Sequence, residues 1–337
     1  MTAHVAIIAE AGVNHNGDPA LALRLIDVAA EAGADCVKFQ TFRADKLAAE
    51  SAPKAAYQTA ATPAGESQLA MLRRLELPES AWSAIAARCA QRGIEFLSTP
   101  FDADSADLLQ RLGVRRFKIS SGEVTNLPFL AHVARYGKPV LLSTGMADLD
   151  EVRAALTTLT GAGSGPVTLL HCVTDYPADP ADVNLQAMGT MRREFGTAVG
   201  WSDHTLGNEI AFAAVALGAS VIEKHFTLDR SLPGPDHAAS LDPGQLAALV
   251  QGVRKIEAAL GDGKKAPTAR ELANRSVVRR SLVAAIDIRQ GAAITEAMIA
   301  LRRPGNGLPP SDRPSLIGRR ATRDIPAGTL LSREMLS

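Results

Sequence analysis

The chain has 337 residues, enough for one large domain and a small one. Lysine plus arginine (36) equals aspartate plus glutamate (36), so no net field draws nucleic acid or an anionic membrane surface. No apolar run approaches the length that spans a bilayer, and Met1-Thr2-Ala3-His4-Val5 lacks the basic start expected of a signal peptide.

Apolar runs alternate with helical patterns from the start. Residues 5–12 read as a first strand that carries Glu10. Pro19 opens a helix that Gly33 ends. Residues 36–42 form a second strand with Lys38 and Gln40 set among apolar neighbours. A polar stretch over 43–65 has no clear period and reads as a lid. Further strands are expected at 95–101, 115–122, 139–146, 167–173, 198–204 and 221–227, each followed by a helix, with a last helix over 243–260. Eight nearly continuous apolar strands predict a parallel (β/α)8 TIM barrel. A doubly wound sheet fits less well, because no Gly-x-Gly-x-x-Gly follows the first strand. Cys36, Cys89 and Cys172 are an odd, scattered set. They read as small buried hydrophobes of a cytoplasmic protein.

The composition changes at Gly261-Asp262-Gly263. Residues 1–262 are expected to be the barrel, 263–276 a polar linker and 277–337 a second domain. That domain holds an internal repeat: Asp287-Ile288-x-x-Gly291 returns as Asp324-Ile325-x-x-Gly328. Two copies of a turn-and-strand unit predict a small, pseudo-symmetric, mostly β domain. Between them, Arg302-Arg303-Pro304-Gly305 reads as a loop.

Polar residues collect at the C-terminal strand ends, where barrels bind ligands. An unpaired lysine facing helices would be costly, so Lys38 and Lys118 belong in the barrel mouth. Thr99, Ser121, Ser143, Thr144 and Ser202 surround them. Two ammonium groups with a ring of hydroxyls suit a small phosphorylated acid. Glu10, Glu123 and Asp236 are candidate proton carriers or hydroxyl anchors. His204 and His225 end two successive strands, with Asp203 and Glu223 beside them, and are candidate metal ligands. His15 could touch a substrate, whereas His171 reads as a core histidine and His4, His132 and His237 as structural or solvated.

The motifs Ala9-Glu10-Ala11-Gly12-Val13-Asn14-His15-Asn16-Gly17, Lys38-Phe39-Gln40-Thr41, Ser98-Thr99-Pro100-Phe101, Lys118-Ile119-Ser120-Ser121-Gly122-Glu123, Ser143-Thr144-Gly145-Met146, Ser202-Asp203-His204-Thr205 and Pro233-Gly234-Pro235-Asp236 lie in this order. Over nearly its whole length the chain resembles the sialic acid synthase family, which includes the legionaminate and pseudaminate synthases. Its last segment resembles the antifreeze-like (β-clip) domain of those enzymes. The resemblance implies condensation of phosphoenolpyruvate with N-acetylmannosamine or a related acetamido sugar, giving a nine-carbon 2-keto acid and phosphate. It implies Glu10, Lys38, Lys118 and Glu123 as catalytic groups. Thr99, Ser121, Ser143 and Ser202 would hold phosphoenolpyruvate, and Gln40, Thr174, Tyr176 and Asp236 the sugar. It further implies manganese, magnesium or cobalt on His204 and His225, and a domain-swapped homodimer in which Arg303 reaches the partner's barrel. One departure stands out. N-acetylneuraminate synthases carry Asn two residues before the Tyr after strand six, and here Thr174 precedes Tyr176. N-acetylmannosamine and a 2,4-diacetamido sugar both stay open as acceptor. A different phosphoenolpyruvate-dependent 3-deoxy sugar acid synthase would need a second anion site, and no further clustered Arg or Lys appears at a strand end. A non-catalytic sugar-binding protein would have little use for the paired histidines.

Overall fold

The structure, a computed structural model, describes residues 4–63 and 65–337. Met1 to Ala3, read above for a leader, and Ala64, within the expected lid, lie outside the described residues. The chain divides into two compact units at Asp262/Gly263.

The first unit is built on eight strands. They are β1 (Ala6–Gly12), β2 (Cys36–Thr41), β3 (Glu95–Pro100), β4 (Phe117–Ile119), β5 (Val140–Ser143), β6 (Val167–His171), β7 (Ala198–Asp203) and β8 (Val221–His225). All neighbouring pairs are parallel, in the order β3-β2-β1-β8-β7-β6-β5-β4. The end strands β3 and β4 lie side by side, so the sheet curls round into a TIM-like barrel.

Side chains alternate along each strand, and this alternation sorts the barrel into layers. Ile8, Cys36, Leu97, Leu141, Leu170 and Val221 form an apolar plug. Their immediate neighbours, such as Ile7, Val37, Leu142, Leu169 and Ile222, pack outward against the helices in the main core. Burying each such side chain contributes about 1.5–3 kcal/mol. Two residues beyond the plug, on the same face, stand Glu10, Lys38, Thr99, Ser143, Cys172 and Glu223. The polar site therefore rests directly on the plug.

Helix ends are well determined. Asp18 caps Pro19–Glu31, with Pro at the first position, and Asp242 forms a capping box with Gln245 at the start of Pro243–Leu260. The lid stretch is not irregular throughout. It contains the short helices Ala44–Leu47 and Ala56–Ala61 and leads into Gln68–Leu75. Ala44 is the one buried residue of the first of these, and no residue of Ala56–Ala61 whose burial is described is buried, which left no apolar period to read.

The second unit pairs β9 (Ser281–Ala284) and β10 (Ile299–Arg302) in antiparallel fashion. The internal repeat is a structural symmetry. Ile288 and Ile325 exchange both backbone hydrogen bonds at 2.8 Å. Asp287 accepts from the Ala327 N–H and Asp324 from the Gln290 N–H, both at 2.7 Å. Each repeat thus closes the turn of the other. Within the expected linker over 263–276 a helix begins, Ala269–Val278, capped by Thr268 with Glu271. Its residues are all exposed, so the sequence shows no buried stripe there.

Candidate active site

At the end of β1 the ladder slips between Glu10 and Gly12. Gly12 takes a φ of 54°, which a side chain would strain, and it lies in contact range of the Glu10 carboxylate and the His225 ring. This local bulge lets β1 end between those two groups. The Glu10 Oε2 lies 2.8 Å from Lys38 Nζ. Lys38 also donates to Thr99 Oγ1 at 3.0 Å and lies 3.7 Å from Glu223 Oε2. On the other side, Lys118 Nζ is 3.5 Å from Glu223 Oε1, which also accepts from Ser202 Oγ at 2.9 Å. Glu10, Lys38, Lys118 and Glu223 are all buried.

Burial raises the Glu10 pKa toward neutrality, against the pull of Lys38 and with added push from Glu223. Burial acts the same way on Glu223, but Lys118 and Lys38 outweigh it and hold that carboxyl low. Burial also opposes the charge on Lys38, where Glu10 and Glu223 prevail, and lowers the pKa of Lys118. Two ammonium groups therefore face one firmly ionised carboxylate and one carboxyl that holds its proton far more readily. Such a centre has net positive character and is suited to an anion.

The hydroxyl ring is partly as expected. Ser143 Oγ is buried with no hydrogen-bond partner among the described residues. Ser121 Oγ accepts from the Gly145 N–H at 2.9 Å and lies 3.2 Å from Cys172 Sγ. A side chain at Gly145 would collide with Thr174 Oγ1, so Thr174, Cys172 and Ser121 converge on one bare stretch of backbone. Thr144 does not join them. It faces the opposite way and donates to the Leu170 carbonyl at 3.1 Å.

His204 and His225 meet at the mouth, with ring centroids 5.6 Å apart. His204 Nδ1 lies 2.6 Å from the Val173 carbonyl, a bond that needs the proton on Nδ1 and leaves Nε2 with its lone pair. Burial lowers the His204 pKa to about 4, and burial with the adjacent His204 lowers that of His225 well below its usual value. His225 Nδ1 has no hydrogen-bond partner among the described residues, and Asp236 Oδ2 is 3.8 Å away. Burial raises the Asp236 pKa to about 6. Tyr176 rests on His204, ring centroids 4.1 Å apart, and Tyr57 rests on Tyr176 at 4.8 Å. Gln40 Nε2 is 3.4 Å from Glu10 Oε1.

Several expectations need correction. Asp203 does not sit beside the imidazoles; its carboxylate turns outward to Lys224 Nζ at 2.7 Å. Glu223 belongs to the lysine centre rather than to a metal set. Glu123 is held by the Asn126 side chain at 2.6 Å, and no hydrogen bond or ion pair among the described residues joins it to the lysines. The strand ends at Ile119 and the chain turns into a 3-10 helix at Ser121–Glu123, so strand alternation does not carry Glu123 onto the face of Lys118. Of the two readings given for His237, the structural one holds: it is buried, with Nδ1 2.7 Å from Thr227 Oγ1. Arg303 is exposed in the second unit. Tyr57 went unread because it lies in a stretch without period, and Cys172 because a lone buried cysteine reads as packing.

These features define a (β/α)8-barrel protein whose mouth holds a buried, net-positive centre beside two neutral imidazoles, with a small β domain after it. The chain belongs to the NeuB family, which it matches over residues 25–265, and residues 279–337 match the SAF domain. It is 49% identical to the N,N'-diacetyllegionaminic acid synthase of Legionella pneumophila, over 96% of this chain and 92% of that one. Identity to the enzyme of the same name from Campylobacter jejuni is 48%, over 96% and 98%. The crystal structure of N-acetylneuraminic acid (sialic acid) synthetase from Leptospira borgpetersenii superposes with a TM-score of 0.71 at 36% identity, covering 81% of this chain and 90% of that one.

Proposed function

We propose that this chain is an N,N'-diacetyllegionaminic acid synthase, condensing phosphoenolpyruvate with 2,4-diacetamido-2,4,6-trideoxymannose and water. The observation that carries this reading is the identity of nearly one half, end to end, to two enzymes of that name. Of the two acceptors left open by the sequence, it favours the diacetamido sugar over N-acetylmannosamine. Thr174 in place of Asn agrees with that choice.

Lys38, Lys118, Thr99, Ser121, Ser143 and Ser202 bind the phosphate and carboxylate of phosphoenolpyruvate. Gln40, Thr174, Tyr176 and Asp236 bind the open-chain sugar. C3 of phosphoenolpyruvate attacks the aldehyde carbon, and the aldehyde oxygen takes a proton. Water adds at C2 and gives up a proton, and phosphate leaves with its bridging oxygen. Glu10, whose raised pKa lets it hold a proton and yield it, serves first at the alkoxide and then at the water. His204 and His225, neutral and with nitrogens unclaimed, fit a divalent ion that supplies polarisation of the aldehyde when bound. Among the described residues no set of three or more His, Cys, Asp or Glu is arranged for a metal. Water and substrate would complete the shell. Two nitrogens suit manganese or cobalt better than magnesium, which prefers oxygen.

Arg303 contributes from the second domain of the partner in a swapped homodimer, and the enzyme works in the cytoplasm. No helix among the described residues is long and apolar enough to cross a membrane. The test is stoichiometry. With manganese, phosphoenolpyruvate and the diacetamido sugar, the protein should release one phosphate for each nine-carbon 2-keto acid formed. Phosphate release that does not depend on the sugar would refute the reading.

A further inference from the structure

Each candidate metal-binding histidine is preceded by one member of a buried ion pair. Asp203 stands before His204, and Lys224 before His225. Their side chains are 0% and 1% exposed, and Asp203 Oδ2 lies 2.7 Å from Lys224 Nζ. Both point away from the barrel mouth. The pair also grips the residue after His204. Asp203 Oδ1 accepts from the Thr205 N–H at 2.9 Å and from Thr205 Oγ1 at 2.7 Å. Lys224 Nζ donates to the Thr205 carbonyl at 2.7 Å. His204 is therefore spanned by a closed ring of hydrogen bonds through Asp203, Lys224 and Thr205. The same ring ties it to the residue before His225.

A buried ion pair is an uneconomical way to gain stability. Apolar residues of similar volume often do as well or better in its place. What the pair offers and an apolar contact lacks is directional fixing of two strand ends. On the inner face His204 is held by the Val173 carbonyl, whereas His225 Nδ1 has no hydrogen-bond partner among the described residues. His225 therefore lacks the carbonyl clamp that holds His204, and its ring is placed by its strand and by packing against Tyr176 and His204.

We propose that the Asp203–Lys224 pair, with Thr205, is a positioning brace that sets His204 and His225 in register for a shared divalent ion. These are positioning residues, since neither side chain faces the mouth. The proposal rests on the metal reading above for its ligand and on the hydrogen-bond ring for its geometry.

The test compares wild type with the full-length double variant Asp203→Leu/Lys224→Met. Manganese affinity is measured without substrates by electron paramagnetic resonance, and the proton on His204 Nδ1 is followed by nitrogen-edited NMR in the metal-free protein. A brace predicts an affinity loss of about tenfold or more and a broadened Nδ1–H signal, with a thermal midpoint that falls because the buried N–H, O–H and carbonyl of Thr205 lose their partners but stays above the assay temperature. Affinity within about twofold of wild type and a retained signal would overturn it. If the double variant does not fold, Thr205→Val removes one O–H donor from the ring. An affinity loss of about threefold at unchanged midpoint supports the brace, and no loss overturns it. Failure of wild type to bind manganese would contradict the metal reading, and the Nδ1–H signal alone would then decide for or against the brace.

Discussion

Glu223 and Lys118 face each other 3.5 Å apart on strands that do not touch in the sheet, and Glu223 also lies 3.7 Å from Lys38. One carboxylate thus spans the barrel interior and neutralises part of each ammonium charge. Replacing it with Gln would leave two buried lysines short of a partner. Glu223→Gln should destabilise the barrel by about 3 kcal/mol, because breaking a buried pair leaves uncompensated charge. The KM for phosphoenolpyruvate should not rise, since the centre becomes more positive. Urea denaturation and steady-state kinetics check both. A stable variant with weakened phosphoenolpyruvate binding would contradict this role.

Glu10 is the proton carrier in the proposed reaction. Glu10→Gln keeps the shape and removes the titrating group. Turnover should fall by about 10²–10⁴-fold, with little change in either KM. Variant turnover within tenfold of wild type would assign the proton transfers elsewhere.

His15 and His237 are buried and not part of the proposed metal set, and burial lowers both pKa values to about 4 from 6.5. Above pH 6.5 both are neutral in the folded and unfolded chain. Between 6.5 and about 4 the unfolded chain binds protons there and the native chain does not, so stability falls as the pH drops. Each should contribute a loss of roughly 2 kcal/mol by about pH 5. Urea midpoints at pH 7, 6 and 5 check this. His15→Asn, whose amide can still accept from Gly17, should flatten the slope; an unchanged slope would contradict it.

Thr174 and Gly145 crowd each other at the end of β6. Thr174→Asn brings in a longer amide with both donor and acceptor. Relative kcat/KM should move toward N-acetylmannosamine by about tenfold, the scale of one altered pocket contact. An unaltered ratio would remove Thr174 from specificity.

Much of this was legible in the chain. Lys38 and Lys118 stand out as charges in apolar runs, and burial cost alone sends them to the mouth. His204 and His225 show as strand ends, and the Asp287/Asp324 repeat shows by its fixed offset. What failed was direction. Asp203 and Thr144 each lie one step along the strand from a mouth residue and so face the helices. Glu123 lies past a turn that strand alternation cannot cross. Glu223 was visible, but its bond to two lysines depends on how a curled sheet brings β2, β4 and β8 together. Tyr57 and the helix Ala269–Val278 carry too little buried surface to mark a period.

The acceptor is the most direct point of test. Phosphate release from phosphoenolpyruvate should be followed with manganese present, offering N-acetylmannosamine or 2,4-diacetamido-2,4,6-trideoxymannose at matched concentrations. A legionaminic acid synthase will show a kcat/KM for the diacetamido sugar at least about tenfold higher. Equal or greater efficiency with N-acetylmannosamine would contradict the assignment and make the chain an N-acetylneuraminate synthase.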